Sequence, residues 1–240
     1  GETCGIQIKY ASYETNNWNG IFSSDSEYLS MINLARVREI SVMDQLDRNE
    51  HLSRIERDKL DAIDKEINNY KKIYNLIDFT DMIQKFLDTN DTPEFDVIFV
   101  DEAQDLSLIQ WSMINKIEQD TGCDVWVAGD DDQAIFGWAG ADVDSFINYN
   151  AEEIPLTKSE RVPSSIQKIA LDVINRIQDN RIDKKYFPKS ELGEIYERYK
   201  ISDIDMTTGD WLILTRTKSI LKSVPTYLKK KGLFFNTAQG

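Results

Sequence analysis

The amino-acid sequence predicts an α/β fold with a mostly parallel sheet, together with a separate helical subdomain. Two short, continuous apolar runs, VIFV at 97–100 and VWVA at 125–128, are typical of parallel strands that are covered on both faces. Strand patterns alternate with amphipathic helical patterns, which is the order expected of an α/β fold. With 41% apolar residues and five tryptophans in 240 residues, the chain can bury a core.

The first ninety residues carry the pattern of a helical arm. Residues 1–24 show little periodicity, whereas apolar side chains between 60 and 74 recur every three or four residues. We therefore predict two or more helices over about 26–74. The turn-forming cluster NDTPEF at 90–95 marks the expected boundary between this arm and the sheet.

Four apolar runs after that boundary predict strands, and amphipathic stripes predict the helices that connect them. The runs are FDVIFVD at 95–101, CDVWVAGD at 123–130, EEIPLT at 152–157 and DWLILTRT at 210–217. The stripes begin near Leu106, Ile166 and Ile220, and the second is expected to start at Pro163–Ser164. This order favours strands that run in parallel.

The charge is concentrated in one part of the chain. The net charge is −14, and residues 86–157 hold seventeen acids but a single base, Lys116. The rest is close to neutral, and residues 216–232 carry six lysines or arginines and no acid. The overall acidity therefore does not exclude a nucleic-acid partner, because the remainder can present a basic face. A solvated charged surface is the alternative interpretation of the basic run.

Cysteine content and hydropathy exclude several classes of protein. Cys4 and Cys123 are the only cysteines and lie far apart, so neither a disulfide framework nor a zinc site is expected. No apolar run reaches the roughly eighteen residues of a membrane span, and no signal-peptide pattern opens the sequence. We therefore expect an intracellular, cytoplasmic protein with no membrane partner, which is compatible with a phage or bacterial origin.

Two acidic residues stand where the first predicted strand ends. Asp101 and Glu102 follow the apolar run directly, and ligands of open parallel sheets bind beyond the carboxyl ends of the strands. One carboxylate of such a pair can hold Mg²⁺, usually through water, while its neighbour orients or deprotonates an attacking water. The alternative is that these acids cap the following helix.

The connection after the second predicted strand is rich in polar and aromatic residues. Its sequence, AGDDDQAIFGWAGAD at 128–142, combines acids, glycines, Gln133, Phe136 and Trp138. Gln133 could donate a hydrogen bond to a terminal phosphate or bind the attacking water. Phe136 and Trp138 are candidates to stack on bases, a contact worth about 1–3 kcal/mol per base. Packing inside the protein is the alternative role of these two aromatic residues.

Five segments resemble motifs of the UvrD/Rep/PcrA-like helicases of superfamily 1. They are LIDFTDMI at 76–83, VIFVDEAQD at 97–105, GDDDQAIFGWAGA at 129–141, LTKSERVPSSI at 156–166 and LILTRT at 212–217. The segment at 97–105 resembles the Walker B motif of that family, and the segment at 129–141 resembles its GDxxQxIYxWRGA motif. The resemblance implies parts of P-loop NTPase (RecA-like) motor domains with a mostly parallel sheet, plus a helical accessory subdomain.

The resemblance also implies a binding site for ATP and Mg²⁺. Asp101 would hold Mg²⁺, and Glu102 would activate the water that hydrolyses ATP. Gln104 and Gln133 would sense the γ-phosphate and couple it to movement. Arg161 would reach across from the second motor domain to stabilise charge in the transition state. Glu102, Gln133 and Arg161 are therefore the expected catalytic residues.

The implied nucleic-acid contacts come from Phe136 and Trp138, which would stack on bases of single-stranded DNA. Two positions depart from the family pattern. Glu160 stands where the family usually has a tyrosine that stacks on adenine, and Ala139 replaces the usual arginine of the WRGA element. The adenine contact and one DNA or phosphate contact are therefore not expected from these residues.

The matched segments begin after the P-loop of that family and end partway through its second motor domain. No G-x-x-x-x-G-K-[ST] pattern occurs in the 240 residues. We therefore interpret the chain as an internal fragment that lacks the P-loop and the C-terminal motifs. Residues 1–90 would form a mainly helical accessory arm, 91–150 the C-terminal part of the first motor domain, and 151–240 the N-terminal part of the second.

The implied function of the complete protein is that of an ATP-dependent DNA helicase or single-stranded DNA translocase. The 240-residue chain alone is expected to lack ATPase activity. An exposed sheet edge could pair with a second copy of the chain. The first alternative is a motor-derived module that binds nucleic acid or protein without hydrolysis. A metal-dependent nuclease built on the acid cluster ranks lowest, because no further acid–lysine constellation accompanies the carboxylates.

Overall fold

The computed structural model contains two compact units. The residues it describes are 27–48, 55–177, 181–215 and 217–237. The first unit lies within Gly1–Pro155 and Ile174–Lys185, and the second lies within Leu156–Val173 and Tyr186–Gly240. None of the helices in these described ranges is both long enough and apolar enough to cross a membrane.

Four helices lie in the described N-terminal residues of the first unit. They are α1 (Glu27–Val37), α2 (Val42–Arg48), α3 (Arg57–Tyr74) and α4 (Phe79–Asp88). Their shared core consists of buried apolar side chains from three helices, among them Met31, Ile32, Leu46, Leu60 and Ile63. Burial of this apolar surface is the main stabilising term. The periodicity that predicts helices in this region is confirmed.

A charged network joins α1, α3 and α4. Asp78 and Asp81 form a capping box, in which the side chain of each residue accepts a hydrogen bond of 2.9 Å from the backbone N–H of the other. Arg36 of α1 and Lys71 of α3 each form ion pairs with both carboxylates. The acids of LIDFTDMI therefore fix where α4 begins and how three helices meet.

A two-stranded parallel sheet follows the helices. Its elements are β1 (Val97–Val100), the connecting helix α5 (Leu108–Thr121) and β2 (Asp124–Val127). Val97 lies opposite Asp124, and Val100 lies opposite Val127. Trp111 and Ile114 of α5 pack with Ala103 against one face of this sheet. Both strands and the helix between them agree with the sequence prediction.

The other face of the β1–β2 sheet is exposed within the described residues. Phe99 is 78% exposed and Trp126 is 54% exposed, and their rings stack with centroids 6.4 Å apart. The prediction that both faces of these strands are covered is therefore wrong here. Side chains of a strand point alternately to its two faces, and α5 covers only one of them.

The strands of the second unit differ from those predicted. A parallel pair, β3 (Lys158–Pro163) and β4 (Phe187–Lys189), flanks α7 (Ser164–Ile174), and β4 has no counterpart in the prediction. The strand predicted at 152–157 is displaced to β3. Residues 211–215 form no strand, and Leu212 and Leu214 are 82% and 80% exposed. An apolar run forms a strand only where a neighbour completes its hydrogen bonds.

Three further α-helices lie in the described residues. They are α6 (Val143–Ile147) in the first unit, and α8 (Lys218–Leu221) and α9 (Ser223–Lys230) in the second. The structure thus has an α/β fold with parallel strand pairing, as predicted. Within the described residues there are two sheets of two strands, ordered β1–β2 and β3–β4. Arg216, at the end of the predicted fourth strand, lies outside the described residues.

Candidate nucleotide and nucleic-acid site

Asp101 and Glu102 follow β1 directly and are both exposed. The carboxylate of Asp101 accepts a hydrogen bond of 2.9 Å from the backbone N–H of Glu102. Glu102 has φ 50° and ψ 41°, a left-handed conformation that is uncommon for residues other than glycine. The chain then enters a short 3-10 turn, Ala103–Asp105, in which burial raises the pKa of Asp105 and the charge of Glu102 raises it further.

Gln104 connects Glu102 to the loop that follows β2 (residues 128–142, the second loop). Its side chain is 1% exposed. Its Nε2 donates a hydrogen bond of 2.8 Å to Oε2 of Glu102, and its Oε1 accepts one of 3.0 Å from the backbone N–H of Asp130. Gly129 allows this approach, since a Cβ atom there would lie 2.7 Å from Oε1 of Gln104. Gln104 therefore positions Glu102 and also contacts the second loop.

The second loop starts with a short 3-10 turn, Asp131–Gln133. Asp130 caps this turn, because its side chain accepts a hydrogen bond from the backbone N–H of Asp132. Nε2 of Gln133 donates a hydrogen bond of 2.7 Å to the second carboxylate oxygen of Asp130. A residue of its own loop thus holds the side chain of Gln133, and Gln133 is exposed.

Two cations from residues 174–185 of the same unit bind the three acids of this loop. Arg181 forms a bidentate pair with Asp132, with distances of 2.6 and 3.0 Å. Lys184 forms an ion pair of 2.5 Å with Asp130 and also pairs with Asp131. Carboxylate oxygens of the three acids lie within 4.8 Å of one another, a spacing that could also hold a cation. Here, Arg181 and Lys184 offset two of the three negative charges.

The pKa values of this cluster report the same pairing. Burial raises the pKa of Asp130, but hydrogen bonds from Gln133 and Lys184 outweigh burial and hold it below the ordinary value. Burial lowers the pKa of Lys184, and its bonds to Asp130 and Asp131 more than reverse this effect, so the net shift is upward. Asp130 and Lys184 therefore stay ionised around neutral pH.

The aromatic part of the second loop (residues 136–142, the aromatic loop) lies against the end of α1. Phe136 is half-buried, Trp138 is 56% exposed, and their ring centroids are 6.3 Å apart with the planes tilted by 52°. Nη2 of Arg38 donates a hydrogen bond of 3.0 Å to the carbonyl of Gly137. Gly140 has φ 104°, and a Cβ atom there would lie 2.5 Å from Cγ2 of Val37. The loop thus exposes more than half of Trp138 and is supported by α1.

Two contacts tie the aromatic loop back to the turn after β1. The backbone N–H of Asp142 donates a hydrogen bond of 2.7 Å to the carbonyl of Leu106, and Ser107 pairs with Ala141 in an isolated antiparallel bridge. Asp101, Glu102, Gln104, Gln133, Phe136 and Trp138 therefore belong to one connected pair of loops at the carboxyl ends of β1 and β2.

Arg161, the remaining predicted site residue, lies in the second unit. It is exposed in β3, and its backbone N–H donates a hydrogen bond of 3.3 Å to Oγ of Ser159. Glu160 beside it pairs with Lys158 at 2.6 Å. The predicted role of Arg161, to reach across from the second motor domain, stays a prediction.

Sequence reasoning missed Arg38, Arg181 and Lys184. Each is a basic residue in a stretch without a recognisable motif. Each is far from the second loop in sequence and contacts it only in the folded structure. The concentration of acids in residues 86–157 is the one signal that could have found them, since close carboxylates need cations from elsewhere. That signal does not say which cations they are.

A family model covers more than half of the chain. Residues 7–154 match the model of the UvrD/REP helicase N-terminal domain. The matched region contains α1 to α6, both strands of the first sheet and the two loops at their carboxyl ends.

Several curated proteins are similar to parts of the chain. "ATP-dependent DNA helicase PcrA" of Leuconostoc citreum is 25% identical over 196 residues, which are 68% of this chain and 26% of that protein. "DNA helicase II" of Escherichia coli (strain K12) is 38% identical over 110 residues, or 44% of this chain and 15% of that protein. "ATP-dependent DNA helicase Rep" of Buchnera aphidicola subsp. Baizongia pistaciae (strain Bp) is 30% identical over 151 residues, or 54% and 21%. The matched part of the chain thus spans about a quarter or less of these relatives.

Proposed function

The chain belongs to the UvrD/REP helicase family, and we propose that it is part of an ATP-dependent DNA helicase that moves along single-stranded DNA. The observation that carries the proposal is the buried bridge through Gln104. This side chain bonds both to Glu102, which would act on the attacking water, and to the backbone of the loop that displays Trp138. A change at the nucleotide can therefore reach the DNA-binding loop through one side chain.

The acids at the end of β1 have the chemistry that Mg²⁺–ATP needs. Asp101 and Glu102 offer exposed carboxylate oxygens, which are the hard ligands that Mg²⁺ prefers. Asp101 would hold the ion, which when bound neutralises charge on the phosphates. Glu102 would orient the attacking water and accept its proton as the water oxygen bonds to the γ-phosphorus and ADP leaves. Gln104 would hold the carboxylate of Glu102 in position for that transfer.

Gln133 and Arg161 would complete the site. Gln133 would exchange its present hydrogen bond to Asp130 for one to the γ-phosphate, so that the loop responds to the nucleotide. Arg161 would supply a positive charge to the transition state, as arginine fingers do. In this proposal residues 1–90 form the accessory arm, 91–150 belong to the first motor domain and 151–240 belong to the second.

Binding of single-stranded DNA tests the proposal on the chain itself. A fluorescent oligothymidylate would be titrated at low salt with the wild type, with Trp138→Ala and with Trp126→Ala. Trp126 is a matched control because it is 54% exposed, against 56% for Trp138, but lies on the sheet face. Loss of one stacked base predicts roughly tenfold weaker binding by Trp138→Ala, with no change in Trp126→Ala.

Two results would contradict the proposal. One is equal binding by all three proteins, and the other is no binding by a wild type whose circular dichroism shows a folded chain. In a longer protein that contains this chain, DNA binding without ATP hydrolysis would favour the alternative of a motor-derived binding module.

A further inference from the structure

Arg38 reaches the aromatic loop from the turn between α1 and α2. Its Nη2 donates to the carbonyl of Gly137, the residue before Trp138, at 3.0 Å. Its Nη1 donates to Oε1 of Gln45 at 3.1 Å. Both acceptors are neutral oxygens. The guanidinium therefore sits one residue away from the exposed indole and keeps its positive charge unbalanced by these bonds.

The surroundings of Arg38 do not neutralise it. Among the described residues no carboxylate forms an ion pair with Arg38, in contrast to Arg36, which pairs with two aspartates. Burial lowers the pKa of Arg38, and the positive charge of Arg48 lowers it further, against a smaller opposite effect of Asp142. Arginine stays protonated under such a shift. A half-buried cation repelled by a second cation favours binding of an anion.

The loop itself supplies no cation. Ala139 stands where the family motif usually has arginine, and residues 86–157 contain one base among seventeen acids. A base stacked on Trp138 would bring its phosphodiester into this acidic region. Non-specific binders of single strands combine aromatic side chains with a positively charged groove. Any positive charge at this loop must therefore come from another part of the fold.

Arg38 is fixed in the place where that charge is needed. Gly140 packs so closely on Val37 that even a methyl group there would lie 2.5 Å from Cγ2 of Val37. The end of α1 and the aromatic loop are therefore in direct contact, and Arg38 follows Val37 in sequence. We propose that Arg38 binds a backbone phosphate of the single-stranded DNA whose base stacks on Trp138. This inference rests on the function proposed above.

The salt dependence of binding tests this assignment. Fluorescence anisotropy of the full chain with a labelled oligothymidylate would be measured over a series of NaCl concentrations for the wild type, Arg38→Gln, Arg38→Lys, Trp138→Ala and Lys65→Gln. Lys65 is a control that removes the same charge from an exposed site on α3, where it pairs with Asp61. Circular dichroism would establish that each variant is folded.

The expected result for Arg38→Gln is roughly threefold to tenfold weaker binding and a log–log salt slope reduced by about 0.7, which is one phosphate contact on a single strand. Arg38→Lys should keep the wild-type slope, and Lys65→Gln should match the wild type. Replacing the phosphodiesters by neutral methylphosphonates should weaken the wild type more than Arg38→Gln. If Arg38→Gln weakened binding only by misplacing the loop, methylphosphonates would weaken its binding as much as they weaken binding by the wild type.

Failure of this inference and failure of the proposed function give different results. If Trp138→Ala weakens binding while Arg38→Gln keeps the wild-type affinity and slope, the loop binds DNA and the Arg38 assignment is wrong. If a folded wild type does not bind, or if Trp138→Ala binds as well as the wild type, the proposed function fails and the assignment fails with it.

Discussion

Gln104 donates a hydrogen bond of 2.8 Å from its Nε2 to Oε2 of Glu102, and this bond joins a buried amide to an exposed carboxylate. The other end of the same amide accepts from the backbone of Asp130 at 3.0 Å. Because an amide has a donor end and an acceptor end, one side chain can satisfy both partners only in this orientation. The geometry of the two loops is therefore coupled.

Replacement of Gln104 by methionine should destabilise the first unit. Methionine has a similar length but cannot bond to Glu102 or to the backbone N–H of Asp130, which would lose this hydrogen bond in a half-buried loop. Loss of such a bond costs about 1–3 kcal/mol. Urea denaturation would measure the free energy of unfolding, and Gln84→Met, in an exposed part of α4, is the control. Equal stability of both variants would contradict the coupling role.

Gly129→Ala should destabilise the protein through the same side chain. The new methyl group would lie 2.7 Å from Oε1 of Gln104 and 3.0 Å from the ring of Phe146, so one of them must move. Overpacking of this kind costs about 1–3 kcal/mol. In the double variant Gly129→Ala/Gln104→Ala, the shorter side chain should relieve part of the clash, so the two losses should not add. Additive losses would show that Phe146 or the backbone, and not Gln104, meets the methyl group.

The sequence was sufficient to predict the strand ends and the residues at the two loops. The runs before Asp101 and Gly129 are the observed strands β1 and β2, because strand type and position follow from local pattern. The pattern could not predict which faces of the sheet are covered. That depends on partners, and Phe99 and Trp126 are exposed because α5 packs on the opposite face.

The second unit was less predictable for a physical reason. The apolar run at 212–215 meets the local requirements for a strand, yet within the described residues no neighbour supplies its hydrogen bonds. Conversely, β4 is only three residues long and pairs with β3, a contact that no local pattern announces. The cations Arg38, Arg181 and Lys184 were missed because they reach the loops through tertiary contacts. The predicted dimer through a sheet edge stays a prediction.

The 240-residue chain should show no appreciable ATPase activity. Its sequence contains no G-x-x-x-x-G-K-[ST] pattern, and positioning and charge neutralisation of the phosphates supply most of the catalysis of phosphoryl transfer. Phosphate release would be measured with ATP, Mg²⁺ and single-stranded DNA for the wild type and Glu102→Gln. The two rates should be equal. A wild-type rate above that of Glu102→Gln would show that this chain assembles an active site by itself.

The helical arm should lose stability in acid through Asp78. Burial raises the pKa of Asp78, but hydrogen bonds from Arg36, Lys71 and the backbone N–H of Asp81 outweigh it, so the folded pKa lies well below the ordinary value of 3.8. The stabilisation is therefore complete above about pH 4 and is lost as the pH falls through the folded value. Asp78→Asn should cost about 1 kcal/mol at pH 7, since Asp78 is partly exposed and solvent screens its charge.

Urea denaturation between pH 2 and pH 7 would check the effect of Asp78. The difference in unfolding free energy between the wild type and Asp78→Asn should shrink as the pH falls below 4. Glu66→Gln, at an exposed position of α3, should match the wild type at every pH. A difference that stays constant across this range would mean that the charge of Asp78 does not contribute and that only its capping geometry does.

Lys184→Met should destabilise the second loop because it removes a cation from three close carboxylates. Asp130, Asp131 and Asp132 have oxygens within 4.8 Å of one another, and Lys184 forms an ion pair with each of them, at 3.6 Å in the case of Asp132. Removing this partner from half-buried acids costs roughly 1–3 kcal/mol, and the pKa of Asp130 should rise. Thermal denaturation at 0.05 and 1 M NaCl would measure the loss, which should be smaller at high salt because salt screens the repulsion.

Lys65→Met, which breaks an exposed pair with Asp61, should change stability little. A loss for Lys184→Met that is independent of salt would assign its role to packing of the aliphatic stem and not to charge.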